Sequence, residues 1–329
     1  LQSNAFSYVL SLKPAKKILF WGKILLFVGL VAYIGYVLQQ QPFDSAVVQR
    51  QLRTVTHPEY WAAGLLLLTP INWGFEALKW QILLRRVHPV SLWQAYQGVL
   101  AGVSLGFALP AQLGDTAGRV LSLRDNRTEA VGASLVSGGM QFYVAIVFGA
   151  IAWPIYLAQV PERSTPAGVA LLVFLALLAG LGVVFGLVRR PLLNWLERRT
   201  ALRRFTSYWI VAQQYDNREI AWALAVAALR YLTFSLQFYL AMRFIGITLP
   251  PDIAASGIGL VFLVKTIAPA FNLLSDLGIR EAAALWVFTP FDVPASVLLT
   301  TTLTLWLVNV LLPVLVGLIW VWKLKVQSA

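Results

Sequence analysis

Two short strings in this chain place an aspartate four residues ahead of an arginine, with a glycine between them. They are Leu113-Gly114-Asp115-Thr116-Ala117-Gly118-Arg119 and Leu274-Ser275-Asp276-Leu277-Gly278-Ile279-Arg280, and Glu281 follows the second directly. A proline lies upstream of each, Pro110 and Pro269. Guanidinium groups grip phosphate and carboxylate through paired hydrogen bonds, and neighbouring carboxylates can aim them. Four more charges stand inside apolar sequence: Glu76 and Lys79, three apart on one helical face, then Arg230 and Lys265. A charge in a membrane-spanning helix costs ~2.5–3.5 kcal/mol on insertion scales, so each of these nine residues demands a partner or a task. Five cations face four carboxylates. Two uses remain open. The groups pair among themselves and tie helices together, or they wall a polar pocket that weakly favours an anion. Gln237, Asn272, Ser275 and Asn309 would add neutral contacts to such a pocket or serve as interhelical glue.

Other chemistry is poorly represented. The chain has no cysteine and only two histidines, His57 and His88, which are far apart and have no ligand at metal spacing. No phosphate-binding loop, dinucleotide-binding glycine pattern or nucleophile elbow occurs. The expectation is therefore no catalytic residue, no metal, no cofactor and no enzymatic activity.

The elements that must position the charges follow from composition. The 329 residues are 59% hydrophobic and 12% charged, and mean hydropathy is +0.72. Such a chain is expected to be an all-α polytopic membrane protein, because lipid leaves backbone groups no partner but their own helix. Six full spans are predicted at about 18–38, 60–84, 129–155, 165–188, 220–244 and 296–322. Two further apolar regions, 91–124 and 253–289, each carry one of the repeated strings and are broken by proline, glycine and charge.

The net charge of +12 reflects basic residues clustered between apolar runs, which points to positive-inside topology and away from nucleic acid. Seven arginines fall between 189 and 219. They join the other basic segments on one face only if 91–124 enters and leaves by the same side. That region is therefore expected to be a re-entrant helical hairpin from the cytoplasm, and 253–289 its counterpart from outside, with both termini cytoplasmic. The strings are offset by 161 residues, which carries 60–84 onto 221–245 and 129–155 onto 290–316. The chain is thus expected to be a single transmembrane domain, 1–329, built as an inverted repeat of 1–164 and 165–329. Leu202, Phe205, Trp209 and Ala212 recur at helical spacing and suggest an amphipathic helix on the cytoplasmic leaflet. Most tryptophans, among them Trp73, Trp80, Trp93, Trp153, Trp222, Trp320 and Trp322, are expected in the interfacial belt. The first five residues, Leu1 to Ala5, resemble the remnant of tag cleavage, and the first apolar run is expected to be a retained anchor.

Three segments together resemble a known family. Trp80-Gln81-Ile82-Leu83-Leu84-Arg85, then Leu109-Pro110-Ala111-Gln112-Leu113-Gly114 through Arg119, then Leu277-Gly278-Ile279-Arg280-Glu281-Ala282 are similar to the membrane region of lysylphosphatidylglycerol synthases, the flippase-like integral membrane family. The likeness runs from about Lys17 to Lys325. It implies a bacterial or archaeal inner-membrane protein that translocates a lipid or assists its translocation. The soluble aminoacyl-transferase domain of bifunctional members is expected to be missing. The chain departs from the family around Asn272–Leu277, where relatives carry Pro-Gly-Gly before Gly-x-x-Glu.

The expected function is a flippase or lipid-linked transporter that passes a polar, anionic head group through a cavity between the hairpins. Its substrate would be a phospholipid or isoprenoid-linked lipid. Arg119 and Arg280 would contact phosphate; Asp115, Asp276 and Glu281 would orient them or meet a cationic part of the head group. Glu76 and Lys79 would line a cytoplasmic entrance, and Arg230 and Lys265 complete the set. The rival is a membrane scaffold or accessory subunit for a lipid-modifying enzyme. A homo-oligomer or such an enzyme partner is compatible with either, and nucleic acid with neither.

Overall fold

The structure is a computed structural model and describes Tyr36, Gln39 and residues 43–108, 111–123, 125–198, 206–267 and 278–327. The first expected span, 18–38, lies almost wholly outside them, as does Asp276. The described residues form helices and no strand. In chain order they are α1 (Ser45–Arg53), α2 (Pro58–Leu84), α3 (Leu92–Ala108), α4 (Ala111–Leu121), α5 (Arg127–Gln159), α6 (Pro166–Glu197) and α7 (Thr206–Gln214). There follow α8 (Asn217–Ile245), α9 (Pro251–Ile267), α10 (Ile279–Phe288), α11 (Ala295–Trp306) and α12 (Leu312–Gln327). A π turn, Leu307–Leu311, joins α11 to α12.

Among the described residues, four helices are long and apolar enough to cross a membrane: α5, α6, α8 and the joined stretch Ala295–Trp322. They match four of the six expected spans, and the chain is a multi-pass membrane protein. The expected span at 60–84 is the 27-residue α2. It is not among the four, because Thr69, Asn72, Glu76 and Lys79 break its apolar run. Those four residues are all buried. Spaced three and four apart, they make a polar stripe turned into the protein.

α2 and α8 form the central pair. Gly64 of α2 lies against Leu240. The Gln237 amide donates to the Leu65 carbonyl at 3.1 Å and to Thr69 Oγ1 at 3.0 Å. α3 and α4 are antiparallel neighbours that touch backbone to backbone. Gly118 faces Gly102, and Gly114 faces Gly106. A Cβ added at Gly118 would lie 2.5 Å from the Gly102 Cα and N atoms. Gly118→Ala should therefore lower the unfolding temperature in detergent even though alanine is the better helix former. Gly180→Ala on α6, with open space around it, should leave that temperature unchanged or raise it.

Several further contacts cross between the first and second parts of the chain. α5 packs on α9, with Gly149 against Leu263 and Gly259 against Ala152. α12 packs on α3, where Gly317 meets Leu100 and the Ser104 hydroxyl donates to the Val314 carbonyl at 2.7 Å. At one end, Arg86 pairs with Asp216 at 2.8 Å and Glu219 at 3.0 Å, tying α2 to the start of α8. The hydrogen bond and charge of Glu219 raise the Arg86 pKa above its ordinary value. At the other end, the Arg163 guanidinium stacks 4.0 Å from the Trp286 ring centroid and donates to the Trp286 carbonyl at 2.8 Å, latching the α5–α6 turn to α10.

The described part of the expected amphipathic helix, α7, packs against α5 and α6, with Val211 and neighbouring Tyr215 buried. It is a docked helix, held because its apolar residues find protein to cover them. The tryptophans divide. Trp93, Trp222 and Trp322 are exposed, as a belt requires, whereas Trp80 and Trp153 are buried. The Trp153 indole donates to the Gly168 carbonyl at 2.8 Å, which explains its place inside.

Candidate functional site

The polar stripe of α2 faces a cavity of about 620 Å³. α3, α4, α5, α8, α9 and the π turn complete its wall. At its heart is Glu76, 3% exposed, which holds three cations. Lys79 Nζ lies 2.8 Å from one carboxylate oxygen and Arg119 Nη1 2.8 Å from the other. Arg230 Nη1 reaches the first oxygen at 3.3 Å. The carboxylate thus joins α2, α4 and α8. One turn of helix brings Asp115 beneath Arg119, which it meets at 2.9 Å and 3.1 Å.

α5 adds neutral partners. Lys79 donates to the Ser137 carbonyl at 3.3 Å, and the Ser137 hydroxyl lies 3.4 Å from Glu76. Gln141 Oε1 accepts from Arg230 at 3.3 Å and from Lys79 at 3.5 Å. Aromatic faces back the cations: Arg119 lies 5.6 Å from the Trp80 ring centroid, Arg230 5.2 Å from Trp73, and Lys265 4.8 Å from Phe234. Stacking of this kind favours a cation that has lost its water. In the ion-pair cluster on the described wall three cations, Lys79, Arg119 and Arg230, meet two carboxylates, Glu76 and Asp115. The cluster therefore carries one positive charge in excess. Such a chamber is suited to an anion, since like charges held together out of water raise the attraction for a counter-charge.

Of the nine residues singled out by sequence, the structure brings six to this cavity: Glu76, Lys79, Asp115, Arg119, Arg230 and Lys265. Glu76 and Lys79 are the deep hub of the chamber and not its entrance, being 3% and 1% exposed. Arg280 and Glu281 stand elsewhere. Arg280 is fully buried and pairs with Glu281 at 3.2 Å, and Glu281 also accepts the Gly278 N–H at 2.7 Å. Neither belongs to the described wall of the cavity.

The reason is local. In the first string, Asp115 and Arg119 share one helix, so their side chains meet. In the second, Gly278 takes a φ of +94°, and the helix begins only at Ile279. The strings therefore differ in backbone at Gly278, and the expected pair of phosphate-binding arginines facing each other is not what the described residues form.

Several wall residues escaped sequence reasoning: Asn72, Trp73, Thr116, Ser134, Ser137 and Gln141. A signal for some was present. Ser134, Ser137 and Gln141 recur at helical spacing in an otherwise apolar run, as do Thr69, Asn72, Glu76 and Lys79. Among the described residues no cluster of histidine, aspartate and glutamate could hold a metal ion. His57 meets Glu59 at 3.0 Å on the exposed start of α2.

A family model described as the lysylphosphatidylglycerol synthase TM region matches residues 20–317. The chain belongs to this family. The match covers most of the chain, including every helix that walls the cavity, and it makes this a membrane protein linked to lipid metabolism. Among curated proteins, none matches the chain.

Proposed function

We propose that this protein is a lipid flippase or lipid transporter that receives an anionic head group in the chamber around Glu76. The observation that carries this reading is a buried cluster of three cations against two carboxylates on the described wall of a chamber in a protein of a lipid-linked membrane family. A second cavity of about 420 Å³, bounded by Phe148, Ile155, Leu236 and other apolar side chains, shares Tyr231 with the chamber. Its apolar lining fits an acyl chain, so head group and tail would have separate seats a few side chains apart. Arg230, the most exposed cation of the cluster, makes the first contact with phosphate, while Arg119 stays paired with its two carboxylates. The chain itself is not an enzyme on this reading, and it resides in a bacterial or archaeal inner membrane with both termini cytoplasmic.

Packing supports the inverted repeat that alternating access would use. The offset of 161 residues relates α2 to α8, α3 to α9, and α5 to the α11–α12 stretch. α2 packs on its own counterpart, and the α5–α9 contact is matched by the contact of α12 with α3. A two-fold relation between halves produces this exchange of partners. The short α3–α4 pair would then be the re-entrant hairpin on one side and α9–α10 that on the other.

The test is reconstitution into vesicles with a head-group-labelled anionic phospholipid in one leaflet. Protein-containing vesicles should equilibrate the label between leaflets faster than empty ones, and a zwitterionic lipid should move more slowly. Equal rates in empty and loaded vesicles would refute transport and favour the scaffold reading.

A further inference from the structure

The charge cluster around Glu76 balances except for one proton. Arg119 sits against Asp115 and Glu76, and Arg230 against Glu76, so two guanidiniums face two carboxylates. Lys79 supplies the single charge in excess. Guanidinium keeps its charge at every pH a protein tolerates, whereas a buried lysine gives up its proton readily. The surplus therefore rests on the one cation of the cluster that can shed it.

The geometry gives that proton a seat. Lys79 is 1% exposed, and its Nζ has three acceptors for the three hydrogens of an ammonium. They are Glu76 Oε2 at 2.8 Å, the Ser137 carbonyl at 3.3 Å and Gln141 Oε1 at 3.5 Å. Arg230 Nη1 uses two of the same atoms, Glu76 Oε2 at 3.3 Å and Gln141 Oε1 at 3.3 Å. Lys79 and Arg230 thus compete for one set of oxygens. When Arg230 turns toward a phosphate, those oxygens are left to Lys79, which holds them best as an ammonium. When the anion departs, Arg230 returns, and a further charge on Lys79 is surplus in a site shielded from water. The other charged or titratable groups on the described wall are Asp115 and Arg119 from α4, Tyr231 from α8 and Lys265 from α9, while α5 brings only neutral groups.

We propose that Lys79 is a proton site coupled to the anion site, so that one proton enters the chamber with each anion and leaves with it. The proton passes from water to the Lys79 amine and back, and no other bond is made or broken. A singly charged lipid anion then crosses together with a proton, and the net charge moved is zero. This inference rests on the anion-binding reading of the chamber and adds the ion that drives it.

The test uses the full chain in detergent with phosphatidylmethanol, a phosphate diester of fixed charge, between about pH 6 and pH 10. Titration calorimetry in buffers of different ionisation heat counts the protons taken up. Wild type should take up close to one proton per lipid at the alkaline end and none at the acid end, where Lys79 is already charged. Its affinity should be highest in acid and fall by up to about tenfold per pH unit above the titration of the empty site. Lys79→Arg, whose charge is fixed, should bind tightly with no proton uptake and no pH dependence. Lys79→Met should bind weakly at every pH, and if it fails to fold, wild type and Lys79→Arg carry the test. In vesicles with a pH difference across the membrane, wild type should gather the lipid in the leaflet facing the alkaline side, and Lys79→Arg should leave it evenly spread. Wild-type binding without proton uptake, uptake that survives in Lys79→Arg, or an even spread with wild type overturns the coupling and leaves the anion-binding reading standing. Failure of wild type to bind the lipid at any pH overturns both.

Discussion

Glu76→Ala should be the most destabilising single substitution in the chamber, costing about 3–5 kcal/mol. The carboxylate is buried and contacts three cations, whereas among the described residues Asp115 pairs with Arg119 alone. Without Glu76, Lys79 and Arg230 have neutral oxygens alone as described partners, and like charges crowd one small volume. The energy lost is mainly the expense of leaving cations unpaired away from water, and only partly the strength of the pairs themselves. The measurement is the denaturant or thermal midpoint in detergent. Glu76→Gln should fall nearly as far, since shape is kept and charge is not. Glu76→Gln combined with Lys79→Met should recover part of the loss, because it removes one stranded cation. A Glu76→Gln protein as stable as wild type would mean that the cluster is solvated and carries little energy.

Arg230→Gln should separate binding from folding. Its side chain is 20% exposed, against 6% for Arg119, and its contact with Glu76 is the longest of the three at 3.3 Å. Arg119 meets two carboxylates, so its charge is spoken for. The substitution at 230 should therefore leave the midpoint close to that of wild type. It should also slow leaflet exchange of an anionic lipid at least about tenfold, the order expected when a charge-assisted hydrogen bond of about 1.5–3 kcal/mol is lost. Arg119→Gln should do the reverse in one respect: it should lower stability whether or not lipid is added. Lipid-induced stabilisation is the readout that divides them. If Arg230→Gln is stabilised by lipid as much as wild type, Arg230 is not a ligand contact.

How much of this was legible in the sequence follows from the reach of each interaction. The Glu76–Lys79 and Asp115–Arg119 pairs are local, three and four residues apart on single helices, and helix geometry alone makes them meet. The link from Glu76 to Arg230 joins residues 154 positions apart. Sequence marks both as charges needing a reason but does not say that they share one. The inward stripe of α2 is visible as spacing, but Thr69 and Asn72 carry no charge whose burial by itself demands a partner. Arg280 stands apart because likeness of letters is not likeness of backbone. Gly278 takes a positive φ just before a helix start, and nothing in the letters alone says which of several glycines will do so. Span positions fared better, since four of the six follow directly from length and apolarity.

α6 is fastened at three heights. Trp153 bonds to its Gly168 carbonyl at 2.8 Å, Tyr143 to its Ala179 carbonyl at 3.0 Å, and its own Arg189 to the Tyr215 carbonyl at 2.8 Å. Its apolar side chains otherwise face outward along most of its length. The first two fastenings recognise main chain, and Gly182 only has to leave room for the Tyr143 ring. Apart from buried Leu175 and Leu193, the body of the protein is thus nearly blind to the order of leucine, valine and phenylalanine on this stave. Evolution is free to shuffle that outer surface to suit the thickness and fluidity of whichever bilayer surrounds it, without disturbing the chamber inside.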